Sequence, residues 1–174
     1  GRVSPFDLRI EEWLGTEGQK LSLNAKIQAI RIAGHRVREH RKNGSLPGFV
    51  ADALSDPEPR VRFAAVQSIG QARQNDLIPE LASRASSEND RITFYAIWQA
   101  LNDVATEGDL RKLLKDRRAG TRRAAMLALL ESGSLDEKEV RDLMEDRDGT
   151  NSNFAAFWIA KQSGNELIDV YPKP

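Results

Sequence analysis

The stretch DPEPRVRFAAVQSIG, residues 56–70, constrains the fold most, because weaker copies of it recur along the chain at a nearly constant spacing. Pro57 and Pro59 disfavour helix at the residues before them, and Pro59 is itself suited to be a first helical residue. From Val61 onward the apolar residues follow the spacing of one helix face. The stretch therefore predicts a turn followed by a helix, with Gly70 as the left-handed cap that ends it.

Three further copies follow when the helices are aligned on an alanine in the middle of each. The reference alanines lie 31, 29 and 31 residues apart: Ala65, Ala96, Ala125 and Ala156. A weaker upstream copy places Ala29 at the same point, a step of 36 residues before Ala65. A shorter apolar pattern precedes the helix of each of the four copies, so each repeat is predicted to be helix, turn, helix. A period of about 30 residues with two helices per unit is typical of an α-solenoid.

The copies DPEPRVRFAAVQSIG, NDRITFYAIWQAL, DRRAGTRRAAMLALL and DRDGTNSNFAAFWIA resemble HEAT repeats, in the short bacterial form that also occurs in phycobilisome-lyase-like proteins. This likeness covers residues 46–164. The segments RITFYAIWQAL and TRRAAMLALLESG are also similar to the HEAT segment of multidomain bacterial proteins that join a sugar-dehydrogenase-like propeller to a c-type haem domain. The first resemblance implies a non-enzymatic scaffold, and the second would imply an extracytoplasmic location.

We expect an all-α fold, a right-handed α-solenoid of about five helical hairpins. Residues 1–45 are predicted to be a degenerate N-terminal capping unit whose second helix begins near Ser22, residues 46–164 to be four HEAT-like repeats, and residues 165–174 to be a C-terminal tail. The helices of the four repeats are predicted at 46–55, 59–69, 76–87, 90–103, 107–116, 120–132, 136–145 and 151–162. The lone Gly1 and the abrupt C-terminal end suggest a fragment cut from a longer protein.

Composition disfavours several functional classes. Lys plus Arg equals Asp plus Glu at 26 each, so the whole chain has no net attraction to nucleic acid or acidic membranes. It has no cysteine, which excludes disulfides, thiolate zinc sites and covalent haem attachment. No apolar run approaches the ~20 residues needed to cross a bilayer, so we expect no membrane insertion. The soluble compartment and the oligomeric state are left open.

No stretch carries a recognisable catalytic, phosphate-binding or dinucleotide-binding motif. The two histidines, His35 and His40, lie five residues apart and point to different sides of a helix, which suits a shared metal poorly. We therefore predict no catalytic residues, no metal and no cofactor. An enzyme, or an accessory module of a multidomain dehydrogenase or lyase, is the alternative if distant residues converge in space.

Basic residues supply a second alternative, which is binding of nucleic acid or another polyanion. The segment HRVREHRK, residues 35–42, holds four Arg or Lys against one Glu. The second helices of the repeats also carry arginines, namely Arg62, Arg91, Arg122 and Arg123. Each group is better explained as a solvated surface, since cations suit a helix C-terminus and the charges balance overall.

One surface of the second helices is unusual. Opposite the apolar arc of each helix, two positions one turn apart should face water. Six of the eight residues at these positions are large and apolar, and we call the set the aromatic ladder: Phe63, Gln67, Phe94, Trp98, Arg123, Leu127, Phe154 and Trp158. Exposed apolar patches of this kind usually mark binding sites. We therefore predict that the ladder binds a protein partner or a neighbouring domain, and that Trp98 and Trp158 are at least partly accessible; burial in the core is the alternative.

Overall fold

The structure is a computed structural model that describes residues 22–39 and 44–162, and within these ranges it contains helices and no strand. The helices are α1 (Leu23–Glu39), α2 (Gly48–Asp52), α3 (Pro59–Ala72), α4 (Ile78–Ser87), α5 (Arg91–Val104), α6 (Glu107–Leu113), α7 (Ala119–Glu131), α8 (Glu137–Leu143) and α9 (Gly149–Gln162). Short 3-10 turns at Ala53–Ser55 and Asn75–Leu77 adjoin α2 and α4. The all-α solenoid prediction is confirmed.

The described residues divide into two compact units, the first ending at Ala128 and the second beginning at Leu129. In the first unit, α1 packs on α3 and α3 packs on α5, so these second helices of successive pairs form a continuous layer. The 3-10 turn after α2 packs on α3, and α4 packs on α5. In the second unit, α8 packs against α9, with Val140 and Ala155 buried.

The predicted helix near Ser22 is confirmed. The Ser22 hydroxyl accepts a hydrogen bond from the Ala25 backbone N–H at 3.3 Å, and the helix continues through Gly34 to Glu39. Residues 1–21 of the predicted capping unit and the predicted tail 165–174 lie outside the described residues.

Gly70 was predicted to end α3 as a left-handed cap, and this prediction is wrong. The helix continues to Ala72, and Arg73 takes the left-handed conformation with φ of 53°. Gly70 instead lets α5 approach, because a Cβ atom there would lie 3.3 Å from the Cβ of Ala100. Gly34 does the same one helix earlier, where a Cβ atom would lie only 2.7 Å from the Cβ of Ser68. Both glycines are therefore explained by close helix packing.

A carboxylate turn fixes the true register of the repeats. The side chains of Asp56, Glu88, Asp116 and Asp146 each accept a hydrogen bond from the backbone N–H two residues later, at 2.7–2.9 Å. The second helix begins three residues after each of these carboxylates. The fifth residue after each one is buried, and these residues are Val61, Thr93, Thr121 and Asn151. Three features in each of the four repeats therefore agree on which positions are equivalent.

This register corrects the sequence alignment in the second and fourth copies. The residues equivalent to Ala65 are Ile97, Ala125 and Ala155, all fully buried. The alignment on Ala96 and Ala156 was wrong by one residue in each case. The first and third copies were aligned correctly, and the error follows from matching alanines rather than the turns that precede them.

Candidate functional site

The corrected register divides the predicted aromatic ladder into two kinds of position. Trp98 is equivalent to Val66 and Met126, which are core residues, and it is itself only 8% exposed. Its ring packs edge-on against Tyr95, with the ring centroids 4.9 Å apart. The prediction that Trp98 is accessible is therefore wrong, because the side chain occupies the buried arc of α5. Trp158 is half-buried, as predicted for a partly accessible residue.

Two other ladder residues also lie off the expected ridge. Phe94 is half-buried and occupies the position that Arg62 and Arg122 hold in their own helices. Phe154 is 41% exposed, and its equivalents Ala64 and Ala124 are fully buried alanines. These two residues are therefore not equivalent to Phe63.

One pair of positions is equivalent in α3, α5, α7 and α9, and in each helix it combines an aromatic or aliphatic side chain with a polar one; we call these positions the ridge. In α3 it carries Phe63 and Gln67, and in α5 it carries Tyr95 and Gln99, whose side-chain amide donates to the Tyr95 hydroxyl at 3.1 Å. In α7 the equivalent pair is Arg123 and Leu127, both half-buried, and in α9 it is Asn153 and Phe157, both exposed. Sequence reasoning thus placed Phe63, Gln67, Arg123 and Leu127 correctly on this ridge and missed Tyr95, Gln99, Asn153 and Phe157. The turn carboxylates were the signal that could have found them.

The two most exposed large apolar residues described in the first unit lie on α5, where Tyr95 belongs to this ridge and Ile92 precedes it by one turn. Ile92 is 67% exposed and Tyr95, one turn later, is 55% exposed. A cavity of about 340 Å³ beside Ile92 is lined by residues from α1, α3 and α5, including Gln28, Arg31, Arg60 and Phe63. A second cavity, of about 500 Å³, lies between α1 and α3 and is lined by Arg31, Ile32, Gln67 and Gln71. Arg31 lines both cavities, so they adjoin.

We call this surface the second-helix face and define it by Arg31, Arg60, Phe63, Gln67, Ile92 and Tyr95. Arg31 and Arg60 are exposed, and neither forms an ion pair with any residue that the structure describes. The carboxylate lining the smaller cavity belongs to Asp90, whose Oδ1 accepts hydrogen bonds from the Thr93 hydroxyl and backbone N–H at 2.7 and 2.8 Å. These bonds hold the pKa of Asp90 below its usual value. Asp90 is thus engaged within its own helix end.

The arginines that suggested polyanion binding are only partly on the surface. Arg62 and Arg122 are 8% and 6% exposed, so the expectation of solvated arginines is wrong for both. Arg62 Nη1 donates to the carbonyls of Asp56 and Pro57, at 2.9 and 3.0 Å. Arg122 Nη1 makes the same two bonds to the carbonyls of its own turn. Both arginines stabilise turns instead of forming a basic groove.

Arg62 also joins two successive repeats. Its Nε and Nη2 donate to the two carboxylate oxygens of Glu88, at 2.8 and 2.7 Å, and the Glu88 side chain is completely buried. Arg84 Nε lies 3.2 Å from the same carboxylate. Burial alone would raise the pKa of Glu88, but the hydrogen bonds from Arg62 and the Asp90 N–H, with the charge of Arg84, outweigh it and leave this pKa below its usual value. Through Arg62, the turn before α3 is connected to the turn before α5, which contains Glu88.

The basic segment 35–42 is described only as far as Glu39, and His40 lies outside the described residues. His35 Nδ1 lies 3.4 Å from a carboxylate oxygen of Glu39, one turn later on α1. Within residues 22–39 and 44–162, no group of His, Asp and Glu side chains is arranged to hold a metal ion. Across the same residues, no helix is long and apolar enough to span a membrane.

Comparisons with known proteins agree with the helical pairs. Among curated proteins, none matches the chain. Residues 20–102 match a family model described as HEAT repeats, a segment that runs from the start of α1 to near the end of α5 and contains the second-helix face. HEAT repeats commonly mediate protein–protein interaction and are generally non-catalytic. This segment of the chain is therefore similar to HEAT repeats, and its helical pairs agree with that similarity.

Proposed function

We propose that the chain is a non-enzymatic scaffold that binds a protein partner, or a neighbouring domain of its parent chain, on the second-helix face. The observation that carries this proposal is the exposure of Ile92 and Tyr95, at 67% and 55%, beside a cavity that contains Phe63. Large apolar side chains grouped at a concavity and surrounded by polar residues are typical of protein-binding surfaces. Arg123 and Leu127 occupy the equivalent positions in α7, and we include them in the proposed docking surface.

The polar residues on this face also suit a protein partner. Gln67 and Gln99 lie beside the aromatic rings, and side-chain amides both donate and accept hydrogen bonds. An interface with an apolar centre and such groups around it gains affinity from the buried side chains and specificity from the amides. Phe94 and Trp98 are left out of the proposed surface, because their positions belong to the packing of α5.

A photo-crosslinking amino acid at position 95 tests the proposal in cells that express the chain. We expect a discrete protein adduct from position 95, and loss of that adduct when Ile92→Asp is added. The matched control carries the same amino acid at position 115, because Lys115 is exposed and lines neither cavity. Equal adducts from both positions, or none from position 95, would contradict a docking role for this face.

A further inference from the structure

The charges around the two cavities point to a more specific partner. Arg31 and Arg60 are two exposed guanidinium groups without an ion-pair partner in the described part of the chain. Two acidic residues also line the cavities: Asp90, whose carboxylate accepts hydrogen bonds from Thr93 and keeps its negative charge, and Glu39, which lies against His35. The same cavities are lined by three arginines, Arg31, Arg36 and Arg60, against these two carboxylates, so positive side chains outnumber negative ones around them.

We propose that the second-helix face binds an extended acidic segment of a protein, in which carboxylates alternate with apolar side chains. This inference rests on the proposed docking function and names its partner class. A carboxylate placed between Arg31 and Arg60 would form charge-assisted hydrogen bonds, and guanidinium groups suit carboxylates because of their planar donor geometry. An adjacent apolar side chain would pack on Phe63 and Ile92.

The dimensions and composition of the face favour a peptide over nucleic acid. A cavity of about 340 Å³ holds one or two side chains rather than a duplex groove. Ile92 is 67% exposed and can pack against an apolar side chain, but it has no charge or hydrogen-bond donor for a phosphate. The chain as a whole carries equal numbers of acidic and basic residues, so it lacks the broad positive field that phosphate-backbone binding uses.

Fluorescence anisotropy with defined probes tests the inference on the full chain. The probe is a fluorescein-labelled peptide of alternating Glu and Leu, and the comparison probes replace every Glu by Gln or every Leu by Ser. A single-stranded oligothymidine of equal length represents the nucleic-acid alternative. We expect the Glu–Leu peptide to bind about tenfold more tightly than the Gln–Leu peptide, and its binding to weaken as salt rises from about 50 to about 300 mM.

Charge-reversal variants of the protein test whether binding depends on Arg31 and Arg60 themselves or only on the net charge of the chain. Arg31→Glu with Arg60→Glu should weaken Glu–Leu binding at least about tenfold. The matched control, Lys115→Glu with Lys138→Glu, makes the same change in net charge at two exposed lysines outside the cavities and should stay within about twofold of wild type. Far-UV circular dichroism checks that both double variants remain helical.

Several outcomes would overturn the inference. No detectable binding of the Glu–Leu peptide, equal weakening by the two double variants, or tight binding of the oligonucleotide alone would each do so. If Ile92→Ser weakens binding of both the Glu–Leu and the Gln–Leu peptide while Arg31→Glu with Arg60→Glu changes the binding of neither, the docking face stands and the proposed preference for acidic partners is wrong. Failure of the docking function itself would be seen separately, as equal crosslinking at positions 95 and 115.

Discussion

Replacing Arg62 by alanine should destabilise the first unit strongly. Its guanidinium donates four hydrogen bonds, two to the carboxylate of Glu88 and two to the carbonyls of Asp56 and Pro57. The Glu88 side chain is completely buried and would lose its two shortest contacts to a cation. Removing one partner of a buried ion pair costs about 3–5 kcal/mol.

The expected loss lies near the lower end of that range, at about 3 kcal/mol. The reason is that Glu88 would keep two favourable contacts, the Asp90 N–H at 2.9 Å and Arg84 Nε at 3.2 Å. For a chain of this length, such a loss lowers Tm by about 6–12 °C. Glu88→Gln should cost less, because the amide oxygen can still accept a hydrogen bond from Arg62.

Urea unfolding at pH 7, followed by far-UV circular dichroism, measures these changes as a double-mutant cycle. The cycle of Arg62→Ala and Glu88→Gln should give a coupling free energy of about 1–3 kcal/mol. Arg60→Ala is the matched control, because Arg60 is exposed on the same helix and should change stability by no more than about 0.5 kcal/mol. If Arg62→Ala unfolds at the same urea concentration as Arg60→Ala, the contact does not stabilise the repeat junction.

Three further predictions concern glycine packing, acid and the apolar centre of the face. Gly120→Ala should lower the free energy of unfolding by at least about 1–3 kcal/mol, because the new Cβ would lie 2.4 Å from the carbonyl oxygen of Ala85. Gly108→Ala is the control: its Cβ would meet only Thr106 Oγ1, at 3.8 Å, so urea unfolding should show this variant to be as stable as wild type or more stable. The hydrogen bond from Arg118, with its charge, lowers the pKa of Asp116 from 3.8 to about 2, and the pKa of Glu88 is also lowered. These two carboxylates therefore stabilise the folded state fully above about pH 4.5, and their contribution is lost as pH falls below that value. An acid titration of the urea midpoint should show this loss, and a midpoint that rises as pH falls from 4.5 would contradict it. Ile92→Ser should leave Tm within about 2 °C of wild type, since the side chain is 67% exposed, and a larger fall by thermal denaturation would place Ile92 in the core.

The helices themselves could be predicted because the local signals for their ends are strong. Pro59 begins α3 as expected, and the observed bounds of α5 and α9 differ from the predicted ones by no more than two residues. Thr106 and Asp136 each form a capping box at the start of a first helix, which fixes α6 and α8 locally. Such signals lie within a few residues of the element that they specify.

The site could be predicted only in part, because register depends on contacts between repeats. In α5 Trp98 lies in the core and Tyr95 lies on the ridge, so large apolar residues occur on both faces of the helix. The hydrophobic periodicity of α5 therefore does not distinguish its buried face from its exposed face. In α9 two adjacent alanines, Ala155 and Ala156, allow two alignments, and only the first is fully buried. The junction between Arg62 and Glu88 spans 26 residues and leaves no local trace in the sequence.

Helix α5 presents Tyr95 to solvent on the second-helix face and buries Trp98 on its core side, and the proposed docking face depends on this arrangement. Acrylamide quenching of two single-tryptophan proteins tests this most directly. One protein keeps Trp98 and carries Trp13→Phe and Trp158→Phe; the other adds Tyr95→Trp and Trp98→Phe to those changes. We expect weak quenching of Trp98 and several-fold stronger quenching at position 95. Equal quenching, or stronger quenching of Trp98, would contradict the register and with it the proposed docking face.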